Sequence, residues 1–300
     1  MTASVARANG IDIAYETFGS ADDPPIVLVM GLGTQRIGWP DELCAQVADA
    51  GRFVVRFDNR DVGESTHLSE LGTPSVLDLL PGRRPPYGLS DMAGDVVGLL
   101  DALGLDAVHL VGASLGGFIA QTVTIDHPDR VRTLTLIMTS TGRRRVGRPH
   151  PRVLGRLARI RRDPAATRDE AVEQTVEIFR LIGSPGHPFD EGRVRELAGH
   201  SYDRGYDPDG YRRQLAAILA QPDRTADLRA VTAPTLVVHG LADPLVGTSG
   251  GVALARTIPG ARLMGFSGMG HDLPRSLWPT FAAEIVDHTA GATEPSQVRT

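Results

Sequence analysis

Residues Val108-His109-Leu110-Val111-Gly112-Ala113-Ser114-Leu115-Gly116-Gly117-Phe118 decide how this chain is read. Val108–Val111 is a short apolar run, the signature of a strand buried on both faces. The stretch from Leu115 to Asp126 has helical character and is closed by Pro128. Between them lies the pattern G-x-S-x-G. In a chain with 34 glycines that pattern is weak by itself, so its place at a strand-to-helix junction decides its meaning. A sharp turn there leaves little room for side chains beside Ser114 and needs the glycines. The helix N-terminus behind the serine favours a developing oxyanion. The structural alternative is a glycine turn with a capping serine.

Outward from this junction, strands and helices alternate. Ser4–Ala8 and Ile11–Thr17, joined by Asn9-Gly10, predict a hairpin. Pro25–Met30 and Phe53–Phe57 predict strands around a helix at 41–50, and Asp58–Ser65 a polar turn. Residues 66–89 hold four prolines and look irregular; Ser90 is placed as the N-cap of a helix ending at Gly104. The strand before the serine is placed at Ala107–Val111, and a sixth strand at Val131–Thr139. From Gly142 to about residue 225 only helical patterns appear. The alternation resumes with strand Thr235–His239, a helix near 250–258, strand Ala261–Phe266 and helix Leu277–His288. The expected architecture is α/β: a mostly parallel central sheet flanked by helices, with 1–141 and 226–300 as the core. Residues 142–225 form a helical cap inserted after the sixth strand, and the polar tail 291–300 is expected to be disordered.

A serine hydroxyl needs a base. Nine histidines compete for the role. His271, on the glycine loop Gly268-Met-Gly-His-Asp-Leu-Pro274 after the last strand, falls at the carboxyl edge of the sheet with Ser114. His239, ending the preceding strand, is its main rival. The base needs an acid to orient it. Asp243 follows strand Thr235–His239, whereas the loop after Val131–Thr139 offers no acid, and Asp272 is too near His271 in sequence to orient it. Oxyanion donors are expected from the backbone N–H groups of Leu115 and of Leu32, in the loop Met30-Gly31-Leu32-Gly33-Thr34.

Composition narrows the function. The net charge of −5 argues against a general nucleic-acid partner. All 31 basic residues are arginine, which rules out a catalytic lysine. The one cysteine, Cys44, is expected as a buried core thiol. The first ten residues lack a secretion-signal pattern and no segment suits a membrane span, so a cytoplasmic location is expected. Nine arginines and no acid fall within 143–162, read as a solvated lid face. Trp39, Phe118, Phe179, Leu181 and Ile182 are candidates for an apolar wall, with core packing the default for each.

The order Ser114, Asp243, His271 resembles that of the α/β-hydrolase superfamily, as do Asp58-Asn-Arg-Asp-Val-Gly-Glu-Ser65 and Asp126-His-Pro-Asp-Arg-Val131. Asp61 stands where the superfamily usually has glycine, and Met30 where it often has histidine. Met30-Gly31, Gly38-Trp39-Pro40-Asp41-Glu42 and Gly268–Pro274 are similar to the branch containing aclacinomycin methylesterase and related carboxylesterases and lipases. The resemblance implies Ser114, Asp243 and His271 as triad and Leu32 and Leu115 as oxyanion donors. It also implies hydrolysis of a small carboxylic ester with an apolar acyl or aromatic part, through an acyl-enzyme, without cofactor or metal. A metal-free perhydrolase is the alternative enzyme, and a ligand-binding protein on the same fold the alternative class.

Overall fold

The computed structural model describes residues 4–75, 78 and 83–291. Its sheet has eight strands: β1 (Ser4–Ala8), β2 (Ile11–Phe18), β3 (Pro25–Val29), β4 (Phe53–Phe57), β5 (Val108–Ala113), β6 (Val131–Ile137), β7 (Thr235–Gly240) and β8 (Arg262–Phe266). They lie in the order β1-β2-β4-β3-β5-β6-β7-β8. β2 runs antiparallel to both its neighbours; every other pairing is parallel. The chain steps from β3 outward to β4, then returns to the other side of β3 for β5. That reversal opens a crevice at the carboxyl ends of β3 and β5, the usual ligand site of such sheets.

Side chains alternate across the sheet, so each strand feeds two cores. On one face Val27, Val29, Leu110, Leu134 and Val237 pack beneath α2 (Leu89–Ala102), α3 (Leu115–Asp126) and α8 (Ser249–Thr257). On the other, Ile26, Leu28, Val111, Ile137 and Val238 pack against α1 (Asp41–Asp49) and α9 (Trp278–Ala290). Cover on both faces accounts for strands that read as continuous apolar runs. Cys44 is fully buried in the second core, as the sequence predicts.

Between β6 and β7 the chain forms α4 (Pro151–Ile160), α5 (Arg168–Ile182), α6 (Glu191–Arg204) and α7 (Pro208–Ala220). The last three begin at side-chain caps, with Thr167, Asp190 and Asp207 accepting from backbone N–H groups one turn in. α4 buries none of its residues.

The structure corrects several expectations. Ser90 is not an N-cap: α2 starts at Leu89, whose side chain enters the core, and the Asp91 carboxylate accepts from the Gly88 N–H at 2.8 Å. β5 continues to Ala113, carrying the ladder to the serine itself, while β6 ends at Ile137 because Met138 turns to φ 43°. Asp58–Ser65 is the polar turn the sequence predicts, and it lies mostly inside the molecule. Asp58, Asn59, Arg60 and Asp61 are all buried, and Arg204 and Arg213 of the insertion bond to Asp58 and Asp61. The expected disorder of 291–300 falls, from residue 292 on, outside the described residues.

Candidate active site

Ser114 sits between β5 and α3 with φ 55° and ψ −116°, a conformation an L-residue adopts only under constraint. The constraint is visible in its neighbours. A side chain on Gly112 would collide with the Gly116 carbonyl, and one on Gly116 with the Val29 carbonyl, so helix and strands meet at backbone distance. The Ser114 N–H donates to Ile137 O at 2.9 Å, and Thr139 Oγ1 donates to the Ser114 carbonyl at 2.9 Å. Strain of this kind costs about 1–3 kcal/mol and persists because the surroundings over-determine it.

His271 projects from the loop after β8, with Nε2 3.0 Å from Ser114 Oγ and Nδ1 2.8 Å from Asp243 Oδ2. A carboxylate only accepts, so Nδ1 carries the proton and the Nε2 lone pair faces the hydroxyl. Asp243 Oδ1 accepts from the N–H groups of Leu245 and Val246, both at 2.8 Å, which orients the carboxylate. Ser114, Asp243 and His271 thus form one hydrogen-bonded line.

Neither rival takes the place of a member of that line, although His239 Nε2 stands 3.9 Å from Asp243 Oδ2. His239 is fully buried with Nε2 on the Val246 carbonyl at 2.8 Å, and burial pushes its pKa down. Asp272 bonds the Ser184 hydroxyl rather than the His271 ring, and burial raises its pKa.

The loop Met30–Thr34 faces Ser114 across the crevice. A Cβ at Gly31 would stand 3.2 Å from Ser114 Cβ. Among the described residues no acceptor takes the backbone N–H of Leu32 or of Leu115. A cavity of about 790 Å³ opens over Ser114 and His271, with Leu32, Phe118, Phe179, Ile182 and Tyr211 in its wall. Of the suggested wall residues Phe118, Phe179 and Ile182 line it, whereas Trp39 and Leu181 do not. Arg143, Arg144, Arg148 and Arg161 of the arginine-rich segment also line it, so that segment is not merely a solvated face.

Several contacts around the site are not foreseen from the sequence. Asn59 Nδ2 donates to the Met30 carbonyl at 3.0 Å. The His271 N–H donates to Ile182 O at 2.8 Å, and the Gly270 N–H to Ser184 Oγ at 2.8 Å, which laces the histidine loop to the end of α5. Gln214, on α7, accepts from the Gly33 N–H at 2.8 Å. A polar residue spaced three from Tyr211 and four from Ile218, on an apolar helix face, is the only local signal it leaves. Asp61, His67 and Asp207 bring ligand atoms within 4.8 Å of one another, but Arg213 bonds both carboxylates and answers their charge.

A strained serine at the sheet's switch point, with its histidine and aspartate on loops after later strands, is the arrangement of an α/β hydrolase. The chain belongs to the α/β hydrolase fold family, whose model matches residues 24–274. It is similar to rhodomycin D methylesterase DnrP of Streptomyces peucetius, at 33% identity over 93% of this chain and 95% of that one. Rhodomycin D methylesterase DauP of a Streptomyces species is similar to the same degree and extent. Among solved structures, an esterase of Exiguobacterium antarcticum superposes with a TM-score of 0.76 at 20% identity, covering 96% of this chain and 100% of that one. At that identity the likeness speaks to the fold. No described helix is long and apolar enough to cross a membrane.

Proposed function

We propose that this protein is a serine esterase that hydrolyses a small carboxylic ester through an acyl-enzyme on Ser114. The observation that carries the reading is the line Asp243–His271–Ser114, with its hydroxyl end opening into a largely apolar cavity. The two methylesterase relatives support ester over other substrates.

Ser114 Oγ attacks the ester carbonyl as its proton passes to His271 Nε2. The carbonyl π electrons move to oxygen, and the N–H groups of Leu32 and Leu115 receive that oxyanion. Asp243 holds the tautomer and stabilises the imidazolium. Collapse of the tetrahedral intermediate expels the alcohol, which takes the proton from His271. Water then attacks the acyl-Ser114 carbonyl with His271 again as base, releasing the acid and restoring the hydroxyl. Residues 142–225 act as the cap of this site, and 1–141 with 226–300 as its core. The cap supplies much of the cavity wall and excludes water from the acyl group.

Purified protein is assayed with short p-nitrophenyl esters beside Ser114→Ala. The reading predicts turnover by the wild type and a loss of at least about a thousandfold in the variant. Equal rates would refute it.

A further inference from the structure

We propose that Gln214, carried by the insertion, is a positioning residue for the loop that presents the Leu32 N–H; the role rests on the esterase reading above. In a trans peptide the C=O and N–H point opposite ways. The Gly31 carbonyl accepts from the Thr34 N–H at 3.2 Å, so the Leu32 N–H in the same plane points away from the turn. Gly31 itself abuts Ser114.

One plane on, the Gly33 N–H donates to Gln214 Oε1 at 2.8 Å. Gly33 has φ 61°, and a Cβ there would stand 2.6 Å from Tyr211 Cδ2, so α7 packs directly on the loop. With Asn59 on the Met30 carbonyl, side chains of two distant segments hold the planes on either side of Leu32.

Gln214 is held as firmly as what it holds. It is fully buried, and its Nε2 donates to the Arg60 carbonyl at 2.8 Å. That second bond settles which end of the amide meets Gly33, since a flipped amide would set its NH2 against the Gly33 N–H. The preceding residue, Arg213, is 1% exposed and grips both oxygens of Asp61 at 2.8 Å. Asp61 has φ 66° and also accepts from Tyr87 Oη at 2.7 Å. Asp61 therefore has a physical use. It tolerates the left-handed backbone and anchors α7, and α7 delivers Gln214 to the oxyanion loop.

The test compares wild type, Gln214→Met and Gln214→Glu with p-nitrophenyl acetate as substrate and a trifluoromethyl ketone as inhibitor. Methionine keeps the length and removes both bonds; glutamate, which full burial keeps protonated, accepts from the Gly33 N–H through its carbonyl oxygen and donates its O–H to the Arg60 carbonyl. An oxyanion donor is worth about 10²–10³ in kcat, so loosening one is expected to cost Gln214→Met about tenfold to a hundredfold. KM stays within about twofold, ketone affinity falls in step with kcat, and Gln214→Glu recovers most of the loss. Three results overturn the proposal: kcat of Gln214→Met within twofold of wild type, an equal loss in Gln214→Glu, or a loss confined to KM. If Gln214→Met does not fold, Gln214→Asn, too short to reach the Gly33 N–H and the Arg60 carbonyl together, takes its place: a fall in kcat of about tenfold or more with KM within about twofold supports the role, and kcat within twofold of wild type refutes it. Wild type inert toward both the ester and a fluorophosphonate sinks the esterase reading itself; wild type that turns over beside an unimpaired Gln214→Met sinks this role alone.

Discussion

At the scale of single residues, the account depends on which atoms carry protons. Asp243→Asn keeps the shape of the carboxylate but presents an amide that can donate to Nδ1. It then favours the tautomer with Nε2 protonated, which cannot take the Ser114 proton. We predict a fall in kcat of about 10³–10⁴ with little change in KM, measured on a p-nitrophenyl ester. Cys44 gives an independent check on the packing. It is fully buried and its thiol is pushed up to about 12, chiefly by burial. It should resist Ellman's reagent in native buffer and react once the chain is denatured; fast native reaction would contradict the second core. Ser114, His271 and Asp243 were legible because each ends a strand-like run on a short loop of glycine or turn residues. Asn59, Ser184 and Gln214 were not, because their partners lie at least 29 positions away and hydrogen bonds at that range leave no local pattern.

At the scale of elements, most strands were read to within a residue at each end, because cover on both faces writes continuous apolar runs into the sequence, while β5 and β6 end two residues from where the sequence set them. Helix starts were read less well. Ser90 had the right chemistry for a cap, but burial of Leu89 drew the helix two residues earlier. The harder element is α7, whose seat depends on the buried pair Asp61–Arg213. Removing Asp61 leaves Arg213 with Asp207 alone and takes the acceptor from the Tyr87 hydroxyl and the Leu68 N–H, at a cost of about 3–5 kcal/mol. Asp61→Ala is therefore expected to lower unfolding stability by about that much in denaturant titrations. Adding Arg213→Met should restore only the part that belongs to the Asp61–Arg213 pair, since the Tyr87 hydroxyl and the Leu68 N–H lack their acceptor in either background. A single variant as stable as wild type would show that α7 is seated by its apolar contacts alone. The sequence marked Asp61 only as a departure from glycine; its partner, 152 residues on, was out of sight.

At the scale of the whole molecule, the segment between β6 and β7 touches the histidine loop through Ile182 and Ser184 and the Gly31–Thr34 loop through Tyr211 and Gln214 of α7. Stability and chemistry are therefore coupled, and pH acts on both. His109, 3% exposed in β5, is pushed down from 6.5 to about 4 by burial, with Arg132 adding to the effect. Between those values the unfolded chain binds the extra proton. His109 therefore contributes its stability fully above pH 6.5 and loses it as the pH falls toward 4, about 3 kcal/mol in all. The buried Asp58 carboxyl, pushed up to about 6, works in the opposite sense, so a differential measurement is needed. The stability gap between wild type and His109→Asn should shift by about 2–3 kcal/mol in favour of the variant between pH 7 and pH 4.5. A gap that does not move with pH would mean that His109 is not held neutral. The central claim, that Ser114 is a nucleophile made reactive by His271, is tested most directly by fluorophosphonate labelling read by intact and peptide mass. The account predicts one adduct per chain, on the peptide carrying Ser114, absent in Ser114→Ala and formed far more slowly in His271→Ala. An unlabelled native protein, or a label that forms as fast without His271, would contradict it.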